Sequence, residues 1–132
     1  MSTESLMDDN CFACGSKNIN GLRLKIVESS GGVEAIIHPP VWSQGYKKTV
    51  HGGIISTILD EIAVWAAFKK GHKCVTAELN IRINKPMAID DEYIASGRVV
   101  RTKHRLILAE SKLMNKRMEL IASAHAKLMK VD

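Results

Sequence analysis

Between Gly52 and Lys69 the chain carries one helical run, in which Ile54, Ile55, Ile58, Leu59, Ile62, Ala63, Ala66 and Ala67 recur at the helical period. A helix this apolar has to be covered on most of its sides, and that requirement limits what the rest of the chain can build. The remaining apolar residues alternate with polar ones, as in half-buried strands. Leu22, Leu24 and Ile26 make a first run and Val33, Ala35 and Ile37 a second, joined by the turn Ser29-Ser30-Gly31-Gly32. Pro39-Pro40 closes the second run, Val41 to Val50 is an irregular connection, and Gly71 ends the helix. Val75, Ala77, Leu79, Ile81 and Ile83 then alternate with Thr76, Glu78, Asn80, Arg82 and Asn84. Three long strands follow at Tyr93 to Arg101, Arg105 to Met114 and Leu120 to Met129, an antiparallel meander. One helix against six strands predicts an α+β domain in which an antiparallel curved sheet wraps around one long central helix.

The helix opens with His51-Gly52-Gly53 and carries Asp60 and Glu61 two turns on. Amides of a first helical turn lack intrahelical partners, and the helix dipole favours negative charge beside them, so Gly52 and Gly53 offer N–H groups to a developing oxyanion. Asp60 offers a carboxylate. Eight residues of helix hold Gly52 and Asp60 roughly 12 Å apart along the axis, whereas both must come within about 3 Å of one reacting carbonyl. One chain cannot supply both groups. A two-fold partner can, and symmetry then makes two equal sites, so a homodimer is expected.

With 132 residues, 45% of them hydrophobic, the chain suits a single domain over residues 21–132, preceded by a segment 1–20 that carries Cys11-Phe12-Ala13-Cys14-Gly15. No apolar run is long enough to span a membrane. Met1 to Asn10 shows no basic stretch followed by an apolar one, and the cysteine count is odd, which together lead to the expectation of a cytoplasmic, reducing setting. The net charge of +5 favours an anionic small molecule, but the basic residues are scattered and only two Trp, two Tyr and two Phe are available for stacking, so nucleic acid is not the expected partner.

Taken together, several motifs in order give the chain a recognisable form. They are Cys11-Phe12-Ala13-Cys14-Gly15 with Asn18, Gly21 and Leu22; Gln44-Gly45-Tyr46; Val50-His51-Gly52-Gly53-Ile54-Ile55; Leu59-Asp60-Glu61; and Thr76-Ala77-Glu78-Leu79-Asn80. In these, over nearly its whole length, the chain resembles the hotdog-fold thioesterases of the PaaI-like family. That resemblance implies hydrolysis of an acyl-CoA to a carboxylate and free CoA, without a cofactor, by a homodimer or a tetramer built as a dimer of dimers. It implies that Asp60, nine positions after His51, is the catalytic carboxylate, that the Gly52 amide binds the thioester oxygen, and that Thr76 assists from the next strand. Gly45 departs from the family pattern, in which an Asn or Gln stands six positions before the histidine; Gln44 lies one position away. Lys47-Lys48 replaces the small or proline residues usual in that loop.

A thioester needs little acid catalysis, since a thiolate with a pKa near about 8.5 leaves readily. One carboxylate therefore suffices, Asp60 acting as general base or as nucleophile. No nucleophile-elbow pattern surrounds Ser56. His51 is expected to hold the loop geometry, Gln44 and Gly53 to lie beside substrate, and Glu61 to be structural or a helper there. A closed zinc site needs four ligands, and besides Cys11 and Cys14 only Cys74 and scattered histidines remain, so no metal is expected and the Cys-x-x-Cys-Gly knuckle reads as a tight turn near the site entrance. Zinc shared between chains, or a redox pair, is the alternative for the knuckle. Trp65 and Phe68 are expected in core or dimer contacts, and Arg101, Lys103, His104 and Arg105 as surface charge or as a hold on CoA phosphates. A non-catalytic acyl-CoA-binding protein is the alternative for the whole chain.

Overall fold

The computed structural model describes residues 8–131; the first seven residues of the segment 1–20 lie outside the described residues. The elements in order are β1 (Val27–Ser29), β2 (Gly32–Ile37), a 3-10 turn (Val41–Ser43), α1 (Gly52–Lys69), β3 (Cys74–Ile83), β4 (Tyr93–Lys103), β5 (Leu106–Asn115) and β6 (Leu120–Lys130). The strands form one sheet in the order β1-β2-β4-β5-β6-β3, antiparallel throughout. Among the described residues no helix is long and apolar enough to cross a membrane.

The sheet curls around α1. Ile55, Ile58, Leu59, Ile62, Ala63, Ala66 and Ala67 are all buried against it, and the strands meet them with small side chains: Ala95 on β4, Ala109 on β5, and Ala122, Ala124 and Ala126 on β6 are buried. Small residues on the concave face let the strands approach the helix backbone closely. Gly97 on β4 marks a close approach, since a Cβ there would lie 2.6 Å from Ile62 Cγ2. On β5 the buried Ser111 hydroxyl donates to the Leu59 carbonyl at 2.8 Å, which satisfies a polar side chain buried in that layer. The helix ends as its sequence predicts. Gly71 adopts φ +86°, its N–H bonding Phe68 O and the His72 N–H bonding Ala67 O, a pair of reversed bonds that only a left-handed residue permits cheaply.

Two strand expectations need correction. The run Leu22 to Ile26 does not pair with β2; β1 is the short Val27–Ser29 instead. Arg23 lies at φ +52°, which breaks the extended conformation, and the Leu22 and Leu24 amides bond the carbonyls of Phe12 and Ala13. The run that alternates is therefore spent on holding the Cys11–Cys14 knuckle to the body, with Ala13 and Leu24 entering the core. The second correction is on β3. Its register against β6 slips between Thr76 and Glu78, leaving Ala77 as an extra residue. A bulge reverses which face follows. Before it Cys74 is buried and Thr76 half-buried, and after it Leu79 and Ile81 pack on the core, while Val75 and Ala77 are exposed. Strict alternation placed Thr76 with Glu78 and Asn80 on the solvent side, and the bulge turns it to the helix.

Candidate active site

The site begins at the loop that delivers His51. Gln44 and Val50 pair as an isolated bridge, the Gly45 N–H donates to Thr49 O at 2.8 Å, and the His51 N–H donates to Ser43 O at 2.8 Å. Gly45 is required here, because a Cβ would come 2.9 Å from the His51 Cα. The departure at this position from the family pattern thus has a steric role in closing the loop onto His51. Gln44 is exposed on the same loop.

His51 is the N-cap of α1, with Nδ1 accepting the Gly53 N–H at 2.9 Å. An imidazole does here what Ser, Thr, Asp or Asn usually does. The acceptor role leaves the ring proton on Nε2. His51 O takes the N–H groups of Ile54 and Ile55, and the hydroxyls of Ser56 and Thr57 donate to the carbonyls of Gly52 and Gly53, each at 2.9 Å. With these bonds made, the Gly52 N–H has no acceptor among the described residues. Gly53 contributes differently from Gly52, since its own N–H is engaged by the cap.

Asp60 is half-buried, and Thr76 Oγ1 donates to its Oδ1 at 2.6 Å. The contact joins two residues named from the sequence, and the β3 bulge is what makes it possible. The unbroken helix from Gly52 to Lys69 keeps Asp60 about 12 Å from Gly52 along the axis. The structure therefore brings together His51 with the two glycines, and Asp60 with Thr76, as two separate groups at different points along α1.

Glu61 belongs to neither group. Adjacent helical residues point about 100° apart, and Glu61 turns to the knuckle, where its Oε2 accepts the Trp65 Nε1–H at 3.0 Å and lies 3.8 Å from Cys11 Sγ. The ligand atoms of Cys11, Cys14 and Glu61 all fall within 4.8 Å of one another. Burial first, and then the Glu61 carboxylate, push the Cys14 thiol well above its ordinary 9.0. Glu61, expected to be structural or a helper, lies in contact with the two cysteines, a grouping that sequence reasoning missed because residues 11 and 61 meet only through the fold. Trp65 and Phe68 stack edge to face at 5.0 Å, with the Lys69 amine 5.5 Å over the Trp65 ring. Arg101, Lys103, His104 and Arg105 are exposed at the β4–β5 hairpin.

The profile of the thioesterase superfamily matches residues 47–122, more than half of the chain. No curated protein sequence matches it. Among solved structures, a thioesterase superfamily protein superposes with a TM-score of 0.87 at 20% identity, over 92% of this chain and 61% of that one, so the chain spans less than two thirds of that protein's length. A Streptococcus mutans protein bound to acetyl-CoA gives a TM-score of 0.76 at 22% identity, over 82% of this chain and 88% of its own. The E. coli PaaI protein of the phenylacetic acid degradation operon gives 0.77 at 16%, over 84% and 81%. A sheet curled around one helix, opened by His-Gly-Gly and matched by this profile, places the chain in the thioesterase superfamily, with the hotdog fold of PaaI.

Proposed function

We propose that the protein hydrolyses acyl-CoA thioesters at two equivalent sites, each assembled across a two-fold dimer from the Gly52 amide of one chain and the Asp60 carboxylate of the other. The observation that carries this reading is the placement of the two half-sites along β3. This strand is an edge of the sheet. Thr76, bonded to Asp60, lies near its start; Ile83, the side chain next to Gly52, is its last residue, with Cδ1 3.7 Å from where a Gly52 Cβ would be. Antiparallel pairing of β3 with its own copy, centred near the middle of the strand, sets the Thr76 end of one against the Ile83 end of the other. Asp60 of each chain then faces Gly52 of its mate. An edge strand ten residues long, paired only with β6 on one side among the described residues, is a template for such pairing, and Val75 and Ile83, at 50% and 46% exposure, are apolar residues for a partner to cover.

In this site the Gly52 N–H, at the positive end of α1, receives the charge that develops on the thioester oxygen. Thr76 occupies Oδ1 of Asp60, which leaves Oδ2 to accept a proton from water as that water attacks the carbonyl. Direct attack by Asp60 would form an anhydride; general base catalysis is the reading preferred, because the Thr76 bond orients the carboxylate without requiring covalent chemistry. The tetrahedral intermediate collapses with loss of the CoA thiolate, and the carboxylic acid is released. A Streptococcus pneumoniae hypothetical thioesterase of the same fold, at 20% identity and a TM-score of 0.76, is known with coenzyme A, which supports CoA as the carrier here. A cytoplasmic setting, where acyl-CoA is found, belongs to the same reading.

The test is thiol release from a panel of short, long and aryl acyl-CoA substrates. Wild type releases thiol, Asp60→Asn loses about 10³-fold or more in kcat, and Thr76→Val loses less than Asp60→Asn with little change in KM. Binding of acyl-CoA without release by wild type across the panel would make the protein a non-catalytic acyl-CoA binder.

A further inference from the structure

The group of Cys11, Cys14 and Glu61 plays no part in the chemistry above, and its geometry points to a metal site: we propose that these three side chains bind a zinc ion, with a fourth position left to water, and so clamp the N-terminal knuckle onto α1. The knuckle is already closed in the form such a site needs. Gly15 N–H donates to Cys11 O at 2.9 Å and Cys11 N–H to Asp8 O at 3.0 Å. Only glycine fits at position 15, since a Cβ would lie 2.3 Å from Asp9 O and 2.4 Å from Cys11 N. The Leu22 and Leu24 amides fix the far side of the same turn.

A tetrahedral ion with bonds of about 2.3 Å to sulfur and about 2.0 Å to oxygen spaces its sulfur and oxygen ligands about 3.5 Å apart and its two sulfurs about 3.8 Å apart. The 3.8 Å from Cys11 Sγ to Glu61 Oε2 lies within a few tenths of that edge, and the 4.8 Å bound on the whole group leaves only a small contraction to close it. Glu61 faces two thiols and an indole, not a cation, among the described residues. A half-buried carboxylate with that surround gains from a positive ion at its centre. Trp65 completes the arrangement in the manner of outer residues at metal sites, its Nε1–H fixing the orientation of the carboxylate. On binding, two S–H protons are lost to solvent, two Zn–S bonds and one Zn–O bond form, and the site goes from one negative charge before binding to one negative charge with the dication bound.

The experiment uses the full chain, stripped with chelator under reducing conditions and reloaded with zinc or with cobalt as a spectroscopic substitute. The expected result is one metal per chain by elemental analysis, and for cobalt a thiolate charge-transfer band with the visible bands of tetrahedral coordination. Cys11→Ser and Cys14→Ser each abolish these bands, and Trp65→Phe weakens affinity about 10- to 100-fold. Circular dichroism establishes that the serine variants are folded; should one unfold, alkylation of wild type reads the same site, because zinc then protects Cys11 and Cys14 while leaving Cys74 unchanged. Substoichiometric metal, full metal content in the serine variants, absence of protection, or a Cys11–Cys14 disulfide recovered in place of metal each overturns the proposal. Since the readout is metal and not thiol release, its failure is distinct from failure of the hydrolase reading.

Discussion

Replacing His51 separates two roles that a histidine at the mouth of an active site can play, chemistry at the ring or geometry at the helix start. Its Nδ1 accepts the Gly53 N–H at 2.9 Å. His51→Ala removes that acceptor. Loss of an N-cap costs about 0.5–2 kcal/mol, and because Gly53 is exposed water replaces the lost partner, which puts the cost near the middle of that range, about 1 kcal/mol. For a chain of this size that is a fall in Tm of roughly 3–5 °C. On the proposed mechanism a catalytic cost comes through Gly52, whose N–H is aimed by the same turn. Deleting an oxyanion donor outright costs about 10²- to 10³-fold in kcat; a donor loosened by about 1 kcal/mol loses about 5-fold. His51→Asn supplies a side-chain oxygen to the same N–H, and it is expected to recover most of both losses. Thermal unfolding and acyl-CoA hydrolysis are followed for the three proteins side by side. If His51→Asn restores the melting temperature yet stays as inactive as His51→Ala, the ring itself is needed in the reaction and the capping argument is wrong.

Gly97→Ala is expected to destabilise the fold by about 1–3 kcal/mol through overpacking, since its new methyl would stand 2.6 Å from Ile62 Cγ2 and 3.2 Å from Ile62 O; denaturant unfolding checks this, and an unchanged midpoint would mean that sheet and helix are not locked at that contact. Hydrogen bonds from Lys85 and Asn115 hold the Glu119 carboxyl below its ordinary 4.5. A carboxylate depressed in the folded state adds stability above its unfolded pKa and loses it as pH falls through the folded value. Lys85→Ala therefore moves the Glu119 titration up toward 4.5, measured by NMR, and an unmoved midpoint contradicts the pairing.

The helix was legible to the residue because its apolar period, its glycine start and the left-handed stop at Gly71 are all local signals. The meander of β4, β5 and β6 was legible for the same reason. What sequence periodicity could not show was phase. The bulge at Ala77 costs one residue of register and reverses the faces of β3, so the hydroxyl that meets Asp60 sat, by alternation, on the wrong side. Leu22 to Leu24 failed differently: the alternation is present, but its backbone is committed to Phe12 and Ala13, a pairing across a turn that no hydrophobic pattern encodes. The separation of Asp60 from Gly52 was legible because helix geometry fixes it from sequence alone. Glu61 was read as structural or as a helper beside the substrate, and the 100° of rotation that separates it from Asp60 turns it to cysteines about fifty residues away in the chain.

Mixed dimers test most directly whether the two halves of the site come from different chains. Gly52→Pro deletes the amide hydrogen while keeping the helix, since proline is favoured at the first helical position, His51 before it is already extended at φ −60° and ψ 136°, and the nearest atom to a Cβ there is 3.7 Å away. Asp60→Asn deletes the proposed base. Neither variant alone should hydrolyse acyl-CoA at an appreciable rate. Co-expressed at equal levels, about half of the dimers are mixed, each with one intact site of two, so hydrolysis should return to about a quarter of the wild-type rate. No recovery in mixed dimers isolated by paired affinity tags would mean that Gly52 and Asp60 do not act on the same substrate from opposite subunits.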